Sequence, residues 1–446
     1  MQTTTDTQAW YASQFELLER ALNGEAASPL HRLRREAIDR FQAAGFPTTR
    51  NEEWRFTNVA PIAKLAMRPV IVPSAGALPA DVVSQIAQPG QRGPRLVFVN
   101  GHYAPEYSHA GSLPAGVRVE SLAAALKRDQ AVDLLSRRIG PEDDAFTSLN
   151  TAFLKDGAFV YLPDGAALED PVHLIFVSGH ETPPFLSSPR NVIVAGARTR
   201  FSIVERYVGL TADDHLTNAV TDFIVGDDAD AEHDSLQEEG SKAFHVGSTR
   251  IALGRNTRFT SNAVSFGGLL VRNNVTALFT GEGSECTLNG LMLATARQHM
   301  DTHTTIDHAR AHCASHELYK AILGGHARGV FNGKIFVRKD AQKTDAKQTN
   351  KTLLLSDDAT INTKPQLEIF ADDVKCTHGA TVGQLDEEQV FYLRTRGIDL
   401  ASARDLLTHA FASDVIRRVR DDNTRDQLAG LLRARLEAGR SSGEGL

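Results

Sequence analysis

The sequence predicts a mainly β protein with helical regions at both ends, and three observations carry that expectation. From about Gly157 onward the chain breaks into a long series of short apolar, β-branched runs separated by Gly, Asn and Asp. Through the same span hardly any stretch keeps a helical period, whereas both ends do. A sandwich or barrel with that many strands would be unusually large. A solenoid grows without such a limit, because each coil buries its inward residues against the next. No strict repeat is visible, so the residues by themselves lean toward a β-helix and no further.

Residues 8–46 read as two helices. Trp10, Phe15, Leu17, Leu18 and Leu22 approximate one apolar face, and Leu30, Leu33, Ala37, Ile38 and Phe41 another. Gly24 and Pro29 separate them, and Gly45, Phe46 and Pro47 end the second. In the charged block that follows, Trp54 and Phe56 are expected to pack on these helices rather than form a binding patch. Residues 60–93, rich in Pro, Ala and Gly, read as an irregular connection, 96–99 as a strand, and 122–138 as helix. Strand-like runs then follow from 159–162 through 288–293, and again at 330–337, 352–355, 367–370 and 374–378. Asp386, Glu387 and Glu388 open a helix whose later Arg394 and Arg396 suit its macrodipole. Leu406, Leu407, Ala410, Phe411, Val415, Ile416 and Val419 keep helical spacing; Leu428, Leu431, Leu432 and Leu436 make a last amphipathic helix, and 441–446 a frayed tail. A solenoid's last coil leaves strand edges and an apolar face open, and this helical segment is the expected cap. The resulting division is 1–150 helical and mixed, 151–384 β, and 385–446 helical.

Composition narrows the function. The 446 residues are 41% hydrophobic and 23% charged, with a net charge of −7 and no basic tract to suit a nucleic-acid partner. Three cysteines, Cys286, Cys313 and Cys376, lack C-x-x-C spacing and suit a reducing compartment. The start is polar, without a signal-like apolar run, and nothing approaches the ~18 apolar residues of a membrane span. A cytoplasmic protein is expected.

The most suggestive chemical pair is Cys376 and His378. Alternate strand residues face one side, so the two project together with Cα atoms about 6.5–7 Å apart. Thiolate and imidazole are both ligands for zinc or iron, but two ligands do not complete a site. The remainder would come from elsewhere in the fold or from another chain. The bland alternative is a half-buried cysteine beside a hydrogen-bonded histidine. In a denser group, His299, His303, His308, His312 and His316 with Cys313, the four-residue spacing of His308, His312 and His316 would line one helix face. Residues 302–306 alternate as a strand does, however, with a turn at Asp307 and His308, and a β-helix would scatter these histidines. Lys343, Asp345 and Lys347 read as a solvated ladder. Asp301, Asp307 and Asp345 are carboxylates that a carbohydrate-cleaving β-helix would need, without an aromatic platform beside them. GVFNGK at 329–334 is too short for a phosphate-binding P-loop, and no G-x-S-x-G elbow occurs.

Several blocks, in order, resemble the SufB/SufD family of iron–sulfur cluster assembly proteins: VFNGK at 330–334, AQKTDA at 341–346, LLLS at 353–356, KPQLEI at 364–369, ADDVKCTHGA at 371–380 and FYLRTRGI at 391–398. The Cys-x-His position is similar to the SufD branch, whereas the SufB branch carries a Glu-His-Glu-Ala-like sequence there. The resemblance implies a right-handed parallel β-helix flanked by N-terminal and C-terminal helical regions. It implies a non-enzymatic scaffold that pairs with a SufB-type homologue through the β-helix cores. A SufC-type ATPase would dock on the C-terminal helices around 388–411, and the isolated chain would be a candidate homodimer. On this reading His378, with Cys376 nearby, faces the partner and helps hold transient iron or a nascent iron–sulfur cluster, with no cofactor held permanently and sulfur supplied by a cysteine desulfurase. Two other classes stay open: a carbohydrate-active β-helix enzyme, and a purely structural partner without a metal role.

Overall fold

The structure is a computed structural model that describes residues 2–22, 28–72, 78–86, 91–140, 143–179 and 181–441. Gly24 and the tail at 442–446 fall outside the described residues.

Two mainly parallel sheets, one of 11 strands and one of 10, face each other along the molecule, and through the core the chain alternates between them strand by strand. In the second sheet Arg200, Asp230, Arg258, Glu285, Ala314, Asp345 and Lys375 stack at the same rung position. A β-helix is therefore the observed architecture. Along that rung, register partners lie 27 residues apart at the shortest coil and 31 at the longest.

One corner shows how the coils lock together. Arg198, Asp228, Asn256, Gly283, His312 and Lys343 occupy it on successive coils, all with positive φ. Each donates its backbone N–H to a carbonyl of the next coil, as His312 does to Gln342 at 2.9 Å. A left-handed residue reverses the chain at every corner, a conformation that Asn, Asp and His tolerate better than most and Gly best. His312 is thereby a corner residue.

Inside the coil, Phe201, Phe223, Phe259, Phe279 and Phe331 fill the lumen with aliphatic neighbours. The outer faces are covered from the two termini. Helices Gln2–Ala21 and Pro29–Ala44 bury Tyr11, Phe15, Leu18, Ile38 and Phe41 against Leu216, Phe244 and Leu270 of the first sheet. Leu17 points away, 46% exposed. Pro29 is the first residue of its helix, with Ser28 as N-cap, because a missing N–H costs nothing there. The connection expected to be irregular contains helices Ala60–Lys64 and Ala80–Ile86, and 122–138 is two short helices, Leu122–Ala125 and Asp129–Ser136. Helix Ala145–Ala152 had no clear sequence signal, since almost every residue of it is buried and no polar face marks its period.

The C-terminal helices are Glu387–Thr395, Leu400–Ile416 and Asp422–Ser441, and the first begins where expected, with Asp386 as its N-cap. They do not cap the solenoid. Ala412, Val415, Ile416, Leu428, Leu432 and Leu436 pack instead on Leu236, Val264, Leu291, Ile322 and Leu353, along the flank of the second sheet. The apolar stripe Leu236 to Leu353 runs up the outside of the coil and receives them. The buried ammonium of Lys320 pins this arrangement, donating to the Phe411 carbonyl at 2.7 Å and to Asp414 at 2.5 Å beneath the Phe411 ring.

Candidate functional site

Both sheets end on strands with one neighbour only: Thr360–Ile369 in the first and Lys375–Gly383 in the second. Their residues are largely intermediate or exposed, and Ile369, Phe370 and Val382 stand 38%, 60% and 48% exposed. The mouth of the coil is open among the described residues. Lys364 and Pro365 blunt the first of these edges against indiscriminate pairing.

Cys376 and His378 lie on the last strand, at the mouth. Register stacks Cys376 on Ala346, Ser315, Cys286 and Phe259, all buried in the lumen. His378 stacks on Gln348, Glu317, Leu288, Ser261 and His233, also lumenal. Two residues apart on one strand, the pair continues the inner face of the coil, which brings a sulfur and an imidazole to the same opening. Cys376 is half-buried against the small cluster of Ile335, Val337, Ala346 and Ala371. Burial raises its thiol above the ordinary range, a backbone N–H from Ala346 opposes that, and the Asp345 carboxylate adds to it. His378 is exposed. Among the described residues no three of His, Cys, Asp and Glu gather in a metal-binding arrangement.

Beneath this pair lies a polar column that the sequence did not disclose. Glu317 is 3% exposed and accepts from Thr304 Oγ1 at 3.0 Å and from Gln348 Nε2 at 2.8 Å, with no cation bonded to it among the described residues. Its second oxygen is buried without a partner, as is Gln348 Oε1. Burial pushes the Glu317 carboxyl up to about 7. Gly333, across the lumen, makes room for the amide: a Cβ there would meet Gln348 Nε2 at 2.2 Å. Only the alternation of strand 314–323 could have signalled Glu317 as inward-facing, and that needs the register.

The histidine group disperses. His299 and His303 face outward on strand His299–His308, where His299 meets Thr57 at 2.9 Å and His303 sits between Asp301 and Glu53 at 3.2 Å each. His308 lies in the lumen against Ser315, and the strand extends through it, so the expected turn falls later, at 310–312. Cys313 is buried near the His312 corner. Asp301 is bound to Arg272 at 2.6 Å and Asp307 to Arg338 at 2.7 Å, while Asp345 and Lys347 pair at the surface. Those carboxylates form no catalytic pair. Trp54 packs as expected, stacked between Phe146 and the Arg272 guanidinium, but Phe56 stays 41% exposed.

Comparison with known proteins covers nearly the whole chain. The family described as SUF system FeS cluster assembly, SufBD core domain, matches residues 176–411, and the SufBD protein N-terminal region matches residues 5–174. The chain belongs to the SufBD family. Similar relatives include an iron–sulfur cluster assembly SufBD family protein of Synechocystis, 33% identical over 90% of this chain and 90% of the relative. The iron–sulfur cluster assembly protein SufD of Escherichia coli is 30% identical over 89% of this chain and 90% of its own length. The chloroplastic protein ABCI7 of Arabidopsis thaliana is 31% identical over 92% and 88%. Proteins named SufD place the chain on that branch of the SufBD family. No helix of the described residues is long and apolar enough to cross a membrane.

Proposed function

We propose that this SufBD protein is a non-catalytic scaffold subunit of iron–sulfur cluster assembly whose working site is completed by a SufB-type partner at the open mouth of the coil. The observation that carries this reading is the coincidence of three features in one place. Two unpaired strand edges, an exposed apolar rim of Ile369, Phe370 and Val382, and the donor pair Cys376 and His378 all occupy the last coil. Coil on coil is the natural continuation of such an end. A second solenoid meeting it would bury the rim and bring further ligands to a pair that lacks them. Iron, or a nascent cluster, is cargo here rather than a resident cofactor. Cys376 must lose its proton to bind it, and a cation at the mouth offsets the burial that now holds the thiol protonated.

The ATPase contact falls on the flank helices. Phe391, Tyr392, Leu400 and Leu406 are exposed on Glu387–Thr395 and Leu400–Ile416, an apolar set that the fold itself does not use. A SufC-type subunit docked there would act on a helix held to the β-helix by Lys320.

Co-expression with SufB-type and SufC-type partners, followed by anaerobic iron and sulfide analysis, tests the reading. Val382→Lys should abolish pairing while the chain stays folded, and His378→Ala should keep pairing but lower bound iron. A full complex with Val382→Lys would remove the mouth as the interface. Unchanged iron and sulfide with His378→Ala would favour a purely structural partner, a reading that the exposure of His378 supports.

A further inference from the structure

On the corner of the coil where the second sheet crosses to the first, two cavities adjoin. One of about 880 Å³ is floored by Gly240, Gly267, Gly268 and Gly325, and one of about 520 Å³ is lined by Phe56, Pro61, Phe244 and Leu270. Leu269, Arg297 and His326 border both. The glycines are there because the turns stack closely: a Cβ at Gly267 would stand 2.2 Å from the Glu239 carbonyl oxygen. The consequence is a floor of bare backbone, open to whatever lies on it.

The charges around these cavities are unbalanced. Arg435 lines the larger cavity, Arg328 the smaller, and Arg297 both, and none of the three has an acidic partner among the described residues. The acids nearby are already engaged. Glu238 is bound to Arg206, and Glu239 is enclosed by His215 and His245. Asp358 stands 3.6 Å from His326 at the surface. In a chain of net charge −7, three uncompensated guanidinium groups around one double cavity mark a local preference for anions. Beside them the exposed ring of Phe56 is braced by Arg55, 5.7 Å from its centroid, and flanked by Pro61 and Leu269.

We propose that this double cavity binds an organic phosphate of mononucleotide size, with its phosphate on Arg297 between Arg435 and Arg328 and its planar body against Phe56 and Leu269. Guanidinium forks match phosphate oxygens in pairs, and the carboxylates nearby, engaged elsewhere, do not compete for them. Both volumes fall in the range of small-molecule sites, and the pairing of an aromatic wall with a few convergent cations is how such sites orient a ligand. This site is independent of the cluster-assembly reading, because none of its residues belongs to the mouth.

Calorimetric titration of the full chain, alone, with ADP and separately with inorganic pyrophosphate tests it. Both probes should bind. Arg297→Glu and Arg435→Glu should each weaken both by about tenfold or more, the loss of one charge-assisted contact. Phe56→Ala should weaken ADP and leave pyrophosphate unchanged. Failure of both probes to bind at millimolar concentration would overturn the proposal, as would binding that survives Arg297→Glu in a variant with unchanged melting. An acidic peptide that binds through Arg297 where ADP does not would overturn it in favour of a protein partner.

Discussion

Replacing Glu317 by glutamine should stabilise the protein at alkaline pH and do little at acidic pH. The carboxyl is buried in the lumen, accepts two hydrogen bonds and faces no cation, so its charged form is disfavoured and its pKa rises from 4.5 to about 7. Below about pH 4.5 the group is protonated in both folded and unfolded chains and contributes nothing to their difference. Between 4.5 and 7 the folded state retains a proton that the unfolded state has lost, so stability falls as pH rises through that window and levels off above it. At 1.36 kcal/mol per unit, the full penalty is about 3 kcal/mol. The amide introduced by Glu317→Gln would imitate the neutral acid at every pH. The difference in unfolding free energy between Glu317→Gln and the parent should therefore grow from under about 1 kcal/mol at pH 5 to about 3 kcal/mol at pH 8. Any packing penalty of the amide is common to both pH values and drops out. Urea denaturation of the two proteins at pH 5 and pH 8 reads this directly. An equal difference at both pH values would show that Glu317 titrates like an exposed acid, and the polar column under His378 would lose its distinctive member.

Other outcomes follow from the same contacts. Asp301→Ala strands the Arg272 guanidinium, 3% exposed, and should cost about 3–5 kcal/mol in denaturant unfolding while the 52–57 segment becomes more sensitive to protease. Asp414→Ala should destabilise more than Lys320→Met, because the first leaves a buried ammonium short of a partner and the second replaces it with an apolar chain of similar length; melting of the two variants compares them. Mass spectrometry of the native protein after brief alkylation should find Cys376 modified first, with Cys286 and Cys313 protected until the coil unfolds.

What the sequence disclosed and what it hid divide along a physical line. Strand content, the helical ends and the helix start at Asp386 were legible because alternation, apolar spacing and terminal charge are local. The repeat was not, although the backbone repeats closely. Arg198, Asp228, Asn256, Gly283, His312 and Lys343 share one corner position with six different residue types, and the coil length along the second sheet drifts between 27 and 31 residues. The corner demands a conformation, which many residues meet, and not an identity. The same gap hid the column Glu317, Gln348 and His378, whose members lie about 30 residues apart and meet only through register. Cys376 and His378 stood out because both sit on one strand, within reach of a period-two pattern. The flank position of the last helices was beyond local reading, since it depends on Leu236, Val264, Leu291, Ile322 and Leu353 gathering on one outer face from five coils.

That flank position bears on why the mouth stays open. Both terminal segments reach the last coils and neither covers the end. From the N-terminal side, Glu52 meets Lys364 on the last strand of the first sheet at 2.9 Å. From the C-terminal side, the chain leaves the last strand at Gly383 and turns down the flank, where Leu353 and Ile322 receive it. A chain that needed only to protect its edges had a helix available directly after the final strand, and Pro365 and Lys364 already guard one edge against unspecific pairing. Under the proposed pairing, the apolar rim left exposed beside those guards would discriminate among occupants rather than exclude all of them. A partner seated there would touch strand Thr360–Ile369, tied to the N-terminal segment, and strand Lys375–Gly383, which leads into the flank helices. Under that proposal, closing the mouth would be coupled to the position of both arms. Breaking the Glu52–Lys364 contact with Lys364→Ala should therefore alter hydrogen exchange in the 52–57 segment without unfolding the coil, and exchange unchanged there would separate the N-terminal arm from the mouth.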